Sequence, residues 1–350
     1  MKALALLSIP DDLRVIDIDR PNTGPGDFLV RVRACALCQT DLKIVSRGRH
    51  FLIDLLGLPL VLGHELAGEV VEVGKDVQGV AEGNRVAVAP FVPCGRCSAC
   101  RTGTPQFCEK IPLSWIRPGG FSEYIKVDGE NAALRVAKIP SHVSFEEASL
   151  TEPIACCFNG IARSDIHLGD DVAIVGAGPI GLTLLLLARI AGAGQVIMVE
   201  TDSRRIQCAR EFGADGIIDP GVDDPAAAVR RLTQGKGSDV VIEAVGSVKT
   251  YDLALSLVRA GGRVVFFGGA PGGSKFEIPT DLLHYMDLTL CGSVSFSPDS
   301  FQKSLKLIAG GKLDAKKLIT HRYSSLEALR ESILSPAKTE GLKLKRVVTF

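Results

Sequence analysis

The stretch Asp171-Val-Ala-Ile-Val-Gly176-Ala-Gly178-Pro179-Ile180-Gly181 decides the fold. A short apolar run reads as a buried strand, G-x-G-x-x-G follows at once, and a leucine-rich segment then opens as a helix. Gly176 allows the tight turn, Gly178 lets backbone approach a pyrophosphate, and Gly181 packs the helix closely on the strand. The helix start, with Pro179 and Ile180 in its first turn, offers free N–H groups and a partial positive charge to phosphates. The next strand candidate ends at Glu200, at the ~20-residue distance expected of an acid that bonds adenosine ribose hydroxyls. A carboxylate there also repels a 2′-phosphate, so NAD is favoured over NADP. Arg204 and Arg205 lie just downstream and read either as phosphate partners or as solvent-facing residues of a helix start.

Working outward, strand-like runs alternate with helix-length segments. Strands are expected at Val172–Val175, Val196–Glu200, Gly216–Asp219, Asp239–Val245, Arg263–Gly268 and Leu288–Val294, with helices at Pro179–Gly192, Ser203–Phe212 and Val248–Arg259. This alternation implies right-handed βαβ units and a buried parallel sheet. Before residue 155 the texture differs: Phe28-Leu-Val-Arg-Val-Arg-Ala and Leu66–Val73 alternate between Gly- and Pro-rich turns, as in an antiparallel β domain. Helices at Pro298–Ala309 and Leu326–Leu334 precede a closing strand, Arg346–Phe350, which has no helix after it and is expected to rejoin the first domain. The expected domains are therefore 1–154, 155–292 and a returning segment 293–350.

Composition narrows the function classes. Forty basic residues balance forty acidic ones, which leaves no electrostatic footprint for nucleic acid or an anionic membrane. One Trp and four Tyr argue against base stacking or an aromatic cage. The apolar stretch near Leu182–Ile190 is interrupted by Thr183 and Arg189, and the opening MKALALLSIPDD lacks a signal-like h-region. A cytoplasmic chain is expected, and its ten cysteines call for a role other than extracellular disulfides.

Four of them supply one. Cys94, Cys97, Cys100 and Cys108 lie within fifteen residues, in a lobe spanning about 93–109, with the C-x-x-C spacing that lets thiolates close a tetrahedron around zinc. Disulfide pairing is the competing reading. A second set is scattered: Cys38, His64-Glu65 and Glu152 offer sulfur, nitrogen and oxygen donors, a set that leaves zinc an open position. Taken singly, Cys38 also reads as a redox pair with Cys35, His64 as a core histidine, and Glu152 as a helix start.

Cys38-Gln-Thr-Asp41, Leu62-Gly-His-Glu65, the four-cysteine lobe, Thr151-Glu-Pro153 and the glycine turn occur in one order. Together they resemble the zinc-dependent medium-chain dehydrogenase/reductase family, and within it the sorbitol (polyol) and threonine dehydrogenase branch. The resemblance implies an α/β protein with a GroES-like β-barrel catalytic domain and a Rossmann doubly wound parallel sheet. It implies a catalytic zinc at Cys38, His64 and Glu152, with Glu65 ligating directly or exchanging with water, and a structural zinc at the four cysteines. Asp41 would orient the zinc-bound imidazole, although it also reads as a helix cap. Thr40 would accept the substrate hydroxyl's hydrogen bond and Lys43 would end the proton relay or simply face solvent. Val245, Gly268 and Val294 would approach the nicotinamide at the carboxyl edge of the sheet.

The implied activity is reversible oxidation of a secondary alcohol of a polyol, sugar alcohol or cyclitol, in a homodimer or homotetramer. A threonine 3-dehydrogenase-like or simple alcohol dehydrogenase, and a non-catalytic NAD-binding protein, are the other readings. Three positions depart from the family pattern: Lys43 and Asn159 stand where many relatives have histidine, and Gln39 where glycine is common.

Overall fold

The computed structural model describes residues 1–47, 51–335 and 341–350. The chain divides into two compact units, Met1–Ala155 with Ser297–Phe350, and Cys156–Phe296. Among the described residues, no helix is long and apolar enough to cross a membrane.

In the first unit a seven-stranded sheet runs Ile319–Tyr323, Lys345–Thr349, Asp27–Ala36, Glu65–Val73, Arg85–Val88 and Val136–Lys138, with Tyr124–Asp128 also paired to Asp27–Ala36. A three-stranded sheet of Asp12–Asp17, Lys2–Ser8 and Leu60–Val61 accompanies it. The strand Asp27–Ala36 is almost wholly buried because it has neighbours on both edges and packing on both faces. Its partners Leu66, Val70, Ile125 and Val348 join Phe28, Val30 and Val32 in one core. The closing strand pairs antiparallel with it, Val347 opposite Ala36 and Thr349 opposite Ala34, so the last residues of the chain seal the first unit. That pairing also fixes where Lys345 points its side chain.

The second unit is a six-stranded, all-parallel sheet in the order Gly216–Ile218, Gln195–Val199, Asp171–Val175, Ser238–Glu243, Val258–Phe266, Thr289–Gly292. Successive strands leave Asp171–Val175 on one side and return from Ser238–Glu243 on the other, so the switch point lies between these two strands. Strands buried on both faces explain the near-continuous apolar runs in the sequence. The strand expected at Val172–Val175 ends where observed, and the other five overrun the observed carboxyl ends by one or two residues, because the chain leaves the sheet at Glu200, Asp219, Ala244, Phe267 and Ser293. A helix at Pro225–Leu232, capped by Asp224, went unrecognised among its polar neighbours.

The glycine turn shows why its residues are fixed. Gly176 adopts φ 100°, the left-handed region that disfavours side chains. A Cβ on Gly181 would sit 1.8 Å from the Gly176 carbonyl oxygen, while one on Gly178 would meet open space. Gly181→Ala is thus expected to destabilise the second unit by at least about 2 kcal/mol in a urea titration, since only backbone movement relieves the clash. A change below about 0.5 kcal/mol would refute the close-approach argument.

Candidate active site

Three of the scattered donors converge. Cys38 follows the strand Asp27–Ala36, His64 precedes Glu65–Val73, and the two strands pair with Ala36 opposite Glu65. This register brings the Cys38 sulfur, a His64 ring nitrogen and a Glu65 oxygen within 4.8 Å of one another. Gly63, at φ 88°, turns the chain ahead of His64, and a Cβ there would lie 2.7 Å from the Phe121 backbone nitrogen. Glu152, in the first turn of the helix Thr151–Ser164 and 8% exposed, is outside this converging trio. Its charge nevertheless acts on Lys345, as does that of the Cys38 sulfur.

Asp41 organises the corner. Its Oδ2 accepts from the Cys38 backbone N–H at 3.1 Å and its Oδ1 from that of Gly63 at 3.2 Å. The same Oδ1 lies 3.5 Å from His64 Nδ1, which leaves Nε2 as the nitrogen available to a metal. Burial pushes the His64 imidazolium down, but the charges of Asp41 and Cys38 and their hydrogen bonds overcome it and hold the pKa well above the usual range. Thr40 N–H donates to the Cys38 sulfur at 3.4 Å, so the helix start that carries Thr40 also holds that sulfur in place. Lys43 is half-buried one turn further along that helix.

Two residues the sequence did not single out complete the site. Lys345 Nζ donates to both Glu65 oxygens, at 2.5 and 2.6 Å, with lysine and glutamate both buried. Burial opposes its charge, yet Glu65, then Cys38 and Glu152, raise its pKa. The closing strand reads Lys345-Arg-Val-Val-Thr349, so Lys345 stands at its first position beside a second cation, and the sequence carries no signal that singles it out. Trp115, the only tryptophan, packs near His64 with ring centroids 6.4 Å apart and stacks on Phe91. Cys35, by contrast, is a core residue: it is fully buried and burial pushes its thiol well up, which removes the redox-pair reading.

The four-cysteine lobe is a second donor set. All ten cysteines are free thiols, and the Cys94, Cys97, Cys100 and Cys108 sulfurs lie within 4.8 Å of one another. Backbone N–H groups of Cys94, Cys97 and Lys110 point at sulfurs of the set. Such donors from Arg96 and Cys97 lower the Cys94 thiol to about 6, whereas burial and its thiol neighbours raise Cys100 to about 12. Four soft thiol donors in one set suit a closed tetrahedral zinc.

In the second unit Glu200 is buried against the glycine turn. Its Oε2 accepts from Ala177 N–H at 2.9 Å and its Oε1 from Thr201 and Asp202 N–H at 2.7 and 3.0 Å. Arg204 is paired to Asp202, and Arg205 lies 3.7 Å from Glu200. Gly178 caps the helix Pro179–Ala191 without a side-chain bond, and a Cβ on it would meet open space. Val245 and Val294 are half-exposed just past the carboxyl ends of their strands, and Gly268 backs onto Gly246.

The Lys345–Glu65 pair yields a direct test. Lys345→Met leaves a buried carboxylate without its counter-charge and is expected to cost about 3–5 kcal/mol in urea unfolding. Combining it with Glu65→Gln is expected to recover most of that loss. A loss below about 1 kcal/mol in the single variant would show that the pair does not hold the site together.

Comparison with known proteins agrees with this geometry. Residues 24–141 match the model of the alcohol dehydrogenase GroES-like domain, and residues 179–310 that of the zinc-binding dehydrogenase. The chain is 31% identical to sorbitol dehydrogenase of Bacillus subtilis over 93% of its own length and 90% of that protein's. It is 33% identical to L-threonine 3-dehydrogenase of Pyrococcus abyssi, covering 91% of this chain and 90% of that one. Among solved structures, 2R,3R-butanediol dehydrogenase of Bacillus subtilis superposes with a TM-score of 0.88 at 30% identity, over 100% of this chain and 99% of that one. A protein of Sinorhizobium meliloti described as a zinc-binding dehydrogenase and bound to NADP gives 0.89 at 33%, over 100% and 99%. The chain belongs to the zinc-dependent medium-chain dehydrogenase/reductase family, oxidoreductases that interconvert alcohols and ketones.

Proposed function

We propose that the chain oxidises a secondary alcohol of a polyol, sugar alcohol or cyclitol to its ketone, reversibly, with NAD and a zinc held by Cys38, His64 and Glu152. The observation that carries the metal site is the convergence of Cys38, His64 and Glu65, with Lys345 holding the Glu65 carboxylate. Glu152 is the third ligand by resemblance to the family's motif, and Glu65, whose carboxylate is held by Lys345, would reach a bound zinc only by giving up that ion pair. When bound, zinc supplies Lewis acidity toward the alcohol oxygen and the nicotinamide supplies the hydride acceptor. Asp41 fixes the His64 tautomer. Thr40 accepts the substrate hydroxyl's hydrogen bond and starts the proton on its way to solvent, with Lys43 one turn further along the same helix. Cys94, Cys97, Cys100 and Cys108 hold a second, structural zinc.

NAD is favoured because a carboxylate at Glu200 would repel a 2′-phosphate and because Arg204 is paired to Asp202. The Sinorhizobium relative bound to NADP makes the comparison of both coenzymes part of the test. The open sheet edge at Thr289–Gly292, with Leu283 and Tyr285 exposed ahead of it in sequence, is assigned to pairing between copies in a homodimer or homotetramer. A four-thiol lobe that must stay reduced suits a cytoplasmic location.

Two zinc ions per chain are expected by elemental analysis, falling to one in Cys38→Ala and to one in Cys100→Ala. Only Cys38→Ala, however, should abolish coenzyme reduction while leaving the fold intact. The substrate panel is sorbitol, xylitol, inositols, 2,3-butanediol, threonine and ethanol, each with NAD and with NADP. Full turnover in Cys38→Ala with one zinc missing would sink the mechanism. Tight NADH binding without turnover on any alcohol would establish a non-catalytic binding protein instead.

A further inference from the structure

We propose that Asn159 is a positioning residue for the nicotinamide end of the coenzyme, acting through the turn after the last strand of the parallel sheet. This rests on the dinucleotide reading of the second unit and deepens it. The strand Thr289–Gly292 ends at the carboxyl edge, and Ser293–Phe296 runs on directly outside it, where doubly wound sheets bind their ligands. Asn159 Nδ2 donates to the carbonyl oxygens of Val294 at 3.1 Å and Ser295 at 3.2 Å, and lies 3.5 Å from Ser293 Oγ. An amide nitrogen with two N–H groups matches two successive carbonyls. Ser295 needs such a hold: its φ of 60° is a left-handed conformation that a residue with a side chain adopts only when its surroundings enforce it.

Close approach makes the contact possible. A Cβ on Gly160 would lie 2.8 Å from the Phe267 ring, so the helix carrying Asn159 lies against the turn after Val258–Phe266. The two neighbouring turns at this edge are held by other polar side chains. Glu243 Oε1 accepts from the N–H groups of Val245 and Gly246 and from the Thr250 hydroxyl. Tyr251 donates to the Gly268 carbonyl at 2.5 Å and accepts from Ala270 N–H. Asn159 does for the third turn what Glu243 and Tyr251 do for the first two. Its role is positional, because among the described residues its amide reaches the carbonyls and hydroxyl of the turn.

Asn159→Asp keeps the shape and removes both donors, and Asn159→Ala removes the group. Calorimetric titration of NADH and ADP-ribose against wild type and both variants separates the two ends of the coenzyme. NADH binding is expected to weaken about ten-fold in each variant while ADP-ribose binding stays within about two-fold of wild type. In the coenzyme-free protein, hydrogen exchange of a 293–296 peptide is expected to quicken while peptides from the central strands are unchanged. Unchanged NADH affinity, or an equal loss for ADP-ribose, overturns the positioning role. Wild-type protein that binds neither ligand overturns the dinucleotide reading itself, and the proposal with it.

Discussion

Placing a thiol, an imidazole and two carboxylates inside one β-rich unit is possible only where charge is returned to balance it, and here Lys345 returns it. Desolvation opposes every one of these charges, and an uncompensated one in the interior is more costly than most single contacts are favourable. Lys345 lies on the closing strand, whose pairing with Asp27–Ala36 brings the end of the chain to the residues that begin the site. The core around these strands is thus what positions the chemistry: without the Ala36–Glu65 and Ala36–Val347 registers, Cys38, Glu65 and Lys345 would not meet.

Legibility in the sequence follows the range of the constraint. The glycine turn was readable because its demands are local: a left-handed φ at Gly176 and a close contact between Gly176 and Gly181 belong to one short stretch. The four-cysteine lobe was readable for the same reason. Lys345 was not, since its partner is 280 positions away and nothing near it in sequence hints at a carboxylate. Asn159 likewise meets carbonyls 135 and 136 positions further on, and backbone acceptors leave no trace in side-chain identity. The helix Thr151–Ser164 was legible only as a start at Glu152, because its Gly160 weakens the helical pattern for a reason, contact with Phe267, that lies more than a hundred residues away.

The donor set illustrates a finer limit. Spacing and residue type identified Cys38, His64, Glu65 and Glu152 as metal-competent but did not rank the two glutamates. Geometry separates them through their partners. Glu65 stands among the converging donors yet has both oxygens on Lys345, whereas Glu152 stands outside the trio. A carboxylate inside the trio and already neutralised is a different chemical resource from one outside it. Residue type and spacing alone do not distinguish the two, and only the motif resemblance gave them separate roles.

Glu200 carries the same lesson to the second unit. As a specificity residue it would be expected to present free oxygens, but three backbone N–H groups already converge on it, one of them inside the glycine turn. It is therefore part of the scaffold that shapes the turn, in addition to the ribose role proposed for it. The Thr201 hydroxyl lies a further 3.5 Å from Oε1 and Arg205 3.7 Å from Oε2, so a ribose hydroxyl would compete with these internal partners. Replacing it to admit a 2′-phosphate would release Ala177, Thr201 and Asp202 together, and Arg204 could assist only by leaving Asp202, the cap of the next helix. Coenzyme choice in this chain is consequently bound to the conformation of the turn itself.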